Sequence, residues 1–196
     1  TASTASGTLN LTGGTFNSQV DILDGGGTTT TTVTLNGGTL NLFGRKLGSA
    51  TNINVLNVQS GTLQNVAEIN AGATPLIKTG AGWLTLGGTN GFTGGTRVTG
   101  GTLQLAGNLA SSLTVSNAVL TGSGTLASNL TLTSGSTFQP RINGYLPGTT
   151  YDQLAVAGTV TLAGVLSVSV TNTNALPSGF TFTIIRSDGA LPVSGT

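Results

Sequence analysis

The sequence predicts an all-β protein, a right-handed parallel β-helix (β-solenoid) of roughly nine coils. Three observations lead to this prediction. Apolar residues alternate with Thr, Ser and Asn along many short segments, glycine-containing pairs separate these segments, and a Gly-Thr-Leu triplet recurs through the chain. Charged residues make up only 6% of the 196 residues, against about 25% in an ordinary globular domain.

Period-2 alternation indicates short strands with one apolar face and one hydroxyl-bearing face. It is clearest in residues 8–11, 32–35, 130–133, 159–162 and 165–170. The longer glycine-free stretches are rich in Thr, Ser, Asn and Val, which disfavour a helix and favour strands or turns. We therefore expect strands and corners along the whole chain and no helix.

The internal repeat sets the expected size of a coil. The triplet begins at Gly7, Gly38, Gly61, Gly101 and Gly124, with Gly158 opening a Gly-Thr-Val variant. The intervals from Gly38 to Gly61 and from Gly101 to Gly124 are equal, and they give about 23 residues as a plausible single coil. The other intervals are longer and indicate insertions or nearly two coils.

The triplet also has a physical reason. Glycine permits a corner with positive φ, after which Thr points outward and Leu inward. Coils of about 22 residues, stacked roughly 4.8 Å apart, would span about 40 Å along the axis.

The repeat rhythm breaks after residue 140. We expect solenoid coils at residues 1–140 and, at residues 141–196, C-terminal coils or a capping module that follows a protruding loop. Because protruding loops often carry function, Arg141, Tyr145 and Tyr151 are the candidate ligand-contact residues. The alternative is that this loop is only a bridge between two blocks of coils.

Composition excludes several classes of partner. The net charge is +1 and the basic residues are scattered apart from Arg45 and Lys46, whereas nucleic-acid binding needs clustered cations. No stretch approaches the roughly 18 apolar residues of a membrane helix, so we expect no membrane insertion of this segment. The chain has no Cys or His, which removes disulfides, ordinary zinc sites and the usual catalytic triads. We expect no cofactor and no metal.

Carboxylates are the remaining groups on which catalysis could rest. The acids are Asp21, Asp24, Glu68, Asp152 and Asp188. A glycosidase needs two of them on one face, and only Asp21 and Asp24 are close in sequence. Asp24 and Asp188 each precede glycine, which is typical of turns. We therefore expect no enzyme, and a carbohydrate-active enzyme is the weakest alternative.

One segment is specific enough to indicate a family. Residues 76–105 read LIKTGAGWLTLGGTNGFTGGTRVTGGTLQL. This segment closely resembles the autotransporter-associated β-strand repeat, also called the passenger-associated transport repeat. The matching residues are Lys78, Gly80, Gly82, Leu84, Leu86, Gly88, Asn90, Phe92, Gly94, Thr96, Val98, Gly101 and Leu103. Residues 144–170 and 179–196 resemble the module that often follows such repeats.

The resemblance implies a parallel β-helix that is exported from a bacterial cell and displayed at its surface or released. In the family, this repeat is a structural and secretion-assisting part of the passenger and not its catalytic part. For Trp83 and Phe92 we favour core filling or stacking over neighbouring corners, and a sugar platform is the alternative. For Asn90 we expect a coil corner, where the left-handed conformation is tolerated.

The ends of a solenoid expose unpaired backbone groups that stable repeat proteins usually cap. The N-terminal residues contain no capping helix, and residues 165–170 and 180–185 are the most hydrophobic strands. Because the chain begins at Thr1 and not at Met, we expect a processed product or an excised segment. Either neighbouring coils of a longer chain cover the ends, or copies stack head to tail into a filament.

The resulting hypothesis is a structural extracellular or cell-surface β-solenoid. It would serve as a stem or spacer of a bacterial passenger protein, or as the subunit of an end-to-end filament. The alternative is an adhesin, a glycan-binding module that uses the loop at Arg141, Tyr145 and Tyr151. The expected partners are therefore other coils, from the same chain or a second copy, and glycans in the alternative.

Overall fold

The computed structural model describes residues 6–26, 28, 30–49, 51–72, 74–171, 178–188 and 193–195. Within them the chain is almost wholly β-strand and corner, with a single 3-10 turn at Asn70–Gly72. Each pairing between two strands is parallel. In the described part of the chain, no helical segment has the length and hydropathy of a membrane span.

The N-terminal strands are long and bend around corners. They are β1 (Ser6–Leu11), β2 (Thr15–Asn17), β3 (Thr30–Leu47) and β4 (Val55–Ile69). β3 pairs with β1 through its first half and with β2 through its second half, so one continuous strand serves two faces. The ladder between β3 and β4 shifts register near the Gly37-Gly38 corner, where the strand turns.

From residue 76 onward the strands are short. The middle strands are β5 (Leu76–Lys78), β6 (Trp83–Gly87), β7 (Thr89–Asn90), β8 (Thr96–Val98), β9 (Thr102–Leu105), β10 (Asn108–Leu109), β11 (Leu113–Val115), β12 (Val119–Thr121), β13 (Thr125–Leu126) and β14 (Leu130–Leu132). The last strands are β15 (Thr137–Phe138), β16 (Arg141–Ile142), β17 (Leu154–Val156), β18 (Val160–Leu162), β19 (Val165–Leu166), β20 (Ser169–Val170), β21 (Ile185–Ser187) and β22 (Val193–Gly195).

These strands form the three faces of a parallel β-helix. The largest sheet has two arms that meet at β4, with β6, β9, β12, β15 and β19 on one arm and β5, β8, β11, β14, β18 and β22 on the other. β7, β10, β13, β17 and β21 make the third face, and β16 pairs with β20 outside these faces. The predicted all-β parallel β-helix is confirmed, whereas the figure of roughly nine coils stays a prediction.

The interior consists of stacked ladders of mostly aliphatic residues. One ladder passes through Leu11, Leu35, Val58, Lys78, Val98, Val115, Leu132, Leu162 and Gly195. A second passes through Leu84, Leu103, Leu120, Phe138 and Leu166. A third passes through Asn90, Leu109, Leu126, Val156 and Ser187. Burial of such rungs, at about 25 cal/mol per Å² of apolar surface, holds successive coils together.

Coil length varies along the stack. Val98 pairs with Lys78 on one side and with Val115 on the other, so the coils in this part of the stack are short. Leu162 pairs with Leu132 and with Gly195, so the last coils are much longer. The insertions that the repeat intervals indicated are therefore concentrated toward the C-terminal end.

The coil of about 23 residues predicted from the triplet is correct at one position and wrong at another. Between Gly38 and Gly61 it is correct, because Thr39 pairs with Thr62. Between Gly101 and Gly124 it is wrong, because Leu103 pairs with Leu120 and Gly124 opens a strand of another face.

Three of the glycines that open a triplet form the predicted corner with a positive φ. Gly38, Gly61 and Gly101 have φ values of 65°, 107° and 64°. A Cβ on Gly61 or Gly101 would meet carbonyl oxygens of the preceding coil, so the close stacking of coils requires glycine there. Gly7 and Gly124 lie outside the left-handed region, so at those positions the triplet marks a strand without a strained corner.

Candidate functional site

The last two coils carry a side excursion that lies outside the core. We define the side excursion as residues 141–152 together with the segments that stack on them, residues 169–171 and 178–184. β16 pairs with β20, and the backbone N of Asn143 donates to the carbonyl O of Thr150 at 2.8 Å, which closes the first loop. Residues 145–149 are exposed. The predicted ligand-contact residues Arg141, Tyr145 and Tyr151 all lie in this excursion.

Arg141 and Asp152 join the base of the side excursion to the solenoid. Nε and Nη2 of Arg141 donate to Oδ2 and Oδ1 of Asp152, each at 3.1 Å. The backbone N of Arg141 also donates to Oδ2 at 3.0 Å. From the preceding coil, the hydroxyls of Ser123 and Thr121 donate to the same carboxylate at 3.2 and 3.3 Å. The aspartate therefore fixes the excursion to the coil beneath it.

The electrostatics of this pair are asymmetric. Burial alone would raise the pKa of Asp152, but the hydrogen bonds and charge of Arg141, with the hydrogen bond of Ser123, outweigh burial and lower the pKa below its ordinary value. The Asp152 side chain is 5% exposed, whereas that of Arg141 is 57% exposed. The negative end of the pair is therefore buried, and the positive end faces solvent.

A small polar pocket opens beside the exposed end of the pair. It has a volume of about 190 Å³ and is lined by Arg141, Asn143, Thr149, Thr150, Tyr151, Asp152 and Thr171. Pockets for drug-sized ligands occupy about 300–1,000 Å³, so this pocket suits a single ring-sized group. Its lining combines a guanidinium, hydroxyls, an amide and one aromatic ring, which is a set of groups suited to hydrogen bonding with a polar ligand.

A row of aromatic side chains continues from the wall of the pocket. The ring of Tyr151 lies 5.2 Å from that of Phe182, which lies 5.0 Å from Phe180, and Phe180 lies 6.4 Å from Tyr145. The three contacts are edge-to-face, as aromatic pairs prefer. Tyr151 is buried, whereas Tyr145 and Phe180 are exposed. Sequence reasoning named the tyrosines and missed both phenylalanines, whose spacing of two on an extended segment was the available signal.

The residues of the matching repeat form the core and corners of the two successive coils to which residues 76–105 contribute. Leu84, Leu86, Phe92, Val98 and Leu103 are fully buried, as we expect of inward positions. Thr96 is buried too, and its hydroxyl shares a hydrogen bond of 2.8 Å with Ser111 Oγ. Around them, the coils pack so closely that a Cβ would clash with a neighbouring coil at Gly82, Gly88, Gly94 and Gly101, whereas at Gly80 it would make ordinary van der Waals contact. These residues build the scaffold and do not line the pocket of the side excursion.

Two expectations for this repeat are wrong, namely core filling by Trp83 and a left-handed corner at Asn90, whereas stacking of Trp83 over a neighbouring corner stays a prediction. Trp83 does not fill the core, because its neighbours Leu84 and Leu86 point inward and period-2 alternation leaves Trp83 on the outer face, where it is 48% exposed. Asn90 is buried on β7 and does not have a positive φ. It occupies an inward rung, where its Nδ2 donates to Gly87 O at 2.9 Å and its Oδ1 accepts from Val66 N at 3.3 Å.

Lys78 takes the place of an aliphatic rung in the first ladder. The side chain is fully buried, and Nζ donates to the carbonyl oxygens of Thr79, Gly80 and Gly100 at 2.8, 2.9 and 2.9 Å. An ammonium has three donors, so each has an acceptor. Burial lowers the pKa of Lys78. Because Gly100 belongs to the next coil, Lys78 links two coils, a role that no sequence pattern indicated beyond the family match.

The acids do not form a common site. Among the described residues, no group of three or more His, Cys, Asp or Glu side chains lies together. Asp21 Oδ1 accepts from the backbone N of Lys46 at 2.9 Å, and Asp24 Oδ1 accepts from Gly26 N at 3.2 Å, as expected of a turn. With Asp152 engaged by Arg141, these three carboxylates serve structural contacts.

Comparison with known proteins connects this architecture to bacterial passenger domains. Residues 76–105 match the family model described as Passenger-associated-transport-repeat. A stretch of 75 residues, 37% of the chain, is 44% identical to an adhesin, the BmaC autotransporter of Brucella suis biovar 1 (strain 1330). The chain spans about 2% of the length of that relative. No solved structure matches the chain. The resemblance seen in the sequence is thus confirmed: the chain carries a passenger-associated transport repeat within its β-helix.

Proposed function

We propose that this chain is a stem or spacer segment of a bacterial surface or secreted passenger protein. The observation that carries the proposal is the continuous ladder from Leu11 to Gly195, in which each coil pairs with the coils before and after it. In such a stack the number of coils sets the length, because each coil contacts only its neighbours. The passenger-associated transport repeat and the similarity to an autotransporter adhesin support the extracellular location.

Removing one whole coil tests the spacer role. Leu113 pairs with Leu130, so residues 113–129 form one coil. Their deletion joins Ser112 to Leu130 and leaves each later strand on its own face. We expect a folded protein that is shorter by about 4.8 Å, the spacing between stacked strands. Circular dichroism and thermal unfolding would show whether the variant folds, and small-angle scattering would measure its length. Antibody labelling of cells that express the parent passenger would measure surface display.

The matched control removes residues 113–121, which is about half a coil. This deletion moves the following strands onto the wrong faces, so we expect loss of the β-sheet signal and of display. The spacer proposal is overturned if the whole-coil deletion loses fold or display as completely as the half-coil deletion does. It is supported if the whole-coil deletion keeps both.

We also propose that the C-terminal end of the solenoid stacks on another coil. An apolar pocket of about 310 Å³ opens there, and its lining includes Phe138, Leu162, Leu166 and Val193. Leu166 and Val193 are 55% and 57% exposed. Within the described residues, β19 and β22 are the last strands of the two arms, so each offers an unpaired backbone edge to a further parallel strand.

Negative-stain electron microscopy of the purified chain tests which coil covers this end. Long filaments that disappear in the Leu166→Asp variant would support stacking of a second copy. Separate short rods, in both the wild type and the variant, would overturn the filament and leave a neighbouring coil of a longer chain as the partner. Val20 is exposed and lies far from the C-terminal strands in sequence. The Val20→Asp variant is therefore the matched control for the added charge.

A further inference from the structure

Arg141 presents hydrogen-bond donors that the fold does not use. A guanidinium has five N–H groups, and Asp152 accepts from Nε and from one hydrogen of Nη2. Within the described part of the chain, no acceptor meets the other three N–H groups. The two contacts with Asp152 fix the plane of the guanidinium, so these three donors point in fixed directions from an exposed side chain that lines the pocket.

The other polar side chains of the pocket are also available to a ligand. The side chains of Asn143, Thr149 and Thr171 make no hydrogen bond to any described residue, whereas the hydroxyl of Thr150 is used by Leu146. One amide and two hydroxyls thus accompany the three guanidinium donors around a space that suits one ring. Among the described residues that line the pocket, the one acid is Asp152, and its charge is buried and neutralised by Arg141. The lining is therefore compatible with an anion.

The aromatic row extends this surface beyond a single ring. Tyr151 forms part of the pocket wall, and successive edge-to-face contacts lead through Phe182 and Phe180 to the exposed Tyr145. Exposed aromatic faces pack against the C–H face of a sugar ring, because that face is apolar while the hydroxyls at its edge bind polar groups. A chain of linked sugars suits this combination of a polar pocket and an aromatic row that leads away from it.

We propose that the side excursion binds an acidic saccharide, whose carboxylate contacts Arg141 and another ring of which stacks on Tyr145. A neutral sugar would leave the outward positive end of the Arg141–Asp152 pair unused. An acidic peptide is disfavoured, because hexaglutamate and similar chains have no ring to fill the pocket and no apolar ring face to pack on the aromatic row. This proposal does not depend on the spacer role, because the excursion lies outside the stacked core.

Titration calorimetry on the full chain tests the proposal with three defined probes. These are a hexamer of galacturonic acid, a hexamer of galactose and hexaglutamate. We expect the galacturonate hexamer to bind at least about tenfold more tightly than the other two, which corresponds to one charge-assisted hydrogen-bonded contact. Equal affinity for the galactose hexamer or for hexaglutamate, or absence of binding by the galacturonate hexamer, would overturn the proposal.

Two variants test whether the saccharide binds at the side excursion. Tyr145→Ala removes an exposed ring, and its control is Phe43→Ala, since Phe43 and Tyr145 are each 53% exposed. Arg141→Lys keeps the charge but loses the planar fork. We expect about a tenfold loss of galacturonate affinity in each excursion variant and none in Phe43→Ala. Unchanged binding in Tyr145→Ala overturns the proposal even if Arg141→Lys fails to fold.

Discussion

The middle coils, residues 76–129, and the C-terminal coils, residues 130–195, share three faces and the same ladders but differ in length. In the middle coils, Val98 pairs with Lys78 and with Val115, and nearly all residues belong to strands and corners. In the longer C-terminal coils, where Leu162 pairs with Leu132 and with Gly195, the additional residues that the structure describes include the side excursion and its strand pair β16 and β20. The additional residues of a longer coil therefore lie outside the core, while the three faces and their ladders continue.

The two regions also differ in how they hold a buried charge. In the middle coils, Lys78 donates to three backbone carbonyls and links one coil to the next. In the C-terminal coils, Asp152 pairs with Arg141 and links an excursion to a coil. The first charge supports the stack itself, whereas the second supports an element outside it. Substitutions in the two regions should therefore have different consequences, which the following experiments measure.

The largest expected difference is between two rungs of one ladder. Leu120 is fully buried in the middle coils, and Leu166 is the last rung of the same ladder and 55% exposed. We expect Leu120→Ala to lower the free energy of unfolding by about 2–5 kcal/mol, because it leaves a cavity. Leu166→Ala should change it by about 0.5 kcal/mol or less, as exposed positions do. Urea unfolding followed by circular dichroism, at low protein concentration, measures both.

A large cost for Leu166→Ala would contradict this comparison. It would mean that another coil covers the C-terminal rung in solution. Repeating the measurement over a range of protein concentrations separates the cases, because a cost that depends on concentration comes from a second copy.

Much of this fold can be predicted from the sequence because the side-chain period of a strand is two. Alternation around Leu84 and Leu86 identifies the inward rungs, and the same parity places Trp83 outside, although its bulk in a glycine-rich coil led us to favour core filling or stacking over a corner. Coil length cannot be predicted in this way, because a glycine triplet marks a corner without saying which of three corners it is. The triplets at Gly101 and Gly124 look alike and open strands of different faces.

The candidate site was predicted only in part, for a related reason. Arg141 and Tyr151 stood out because they interrupt the repeat. Asp152, the partner of Arg141, accepts a hydrogen bond from Thr121, and Tyr151 contacts Phe182. Both contacts join residues about one coil apart in sequence, and contacts at that range follow from coil length. Since the lengths of the last coils depend on their insertions, a local sequence pattern could not predict that these side chains make contact.

The second experiment replaces the buried cation of the middle coils. We expect Lys78→Met to lower the free energy of unfolding by about 1–3 kcal/mol, because methionine fills a similar space but leaves three partly buried carbonyls without their donor. The exposed Lys46→Met is the matched control and should have little effect. Thermal and urea unfolding measure both variants. A more stable Lys78→Met protein would show that an aliphatic rung serves as well and that the link between coils is dispensable.

The smallest expected effect is the acid sensitivity of the side excursion. The pKa of Asp152 is lower in the folded protein than its ordinary value, so the carboxylate contributes stability above the unfolded pKa of about 3.9. That contribution is lost as the pH falls through the lower, folded pKa. Because Arg141 is more than half exposed and therefore screened, we expect about 1 kcal/mol.

Amide hydrogen exchange at pH 7 and near pH 3 measures this effect region by region. In the wild type, acid should lower the protection factors, which compare exchange with that of an unstructured chain at the same pH, more in residues 141–152 than in residues 76–129, because only the excursion depends on the carboxylate. Asp152→Asn should show lowered protection factors in the excursion already at pH 7 and little further change in them in acid. If the middle coils open at the same pH as the excursion, then the two regions unfold as one unit, and the side excursion is part of the stack and not an addition to it.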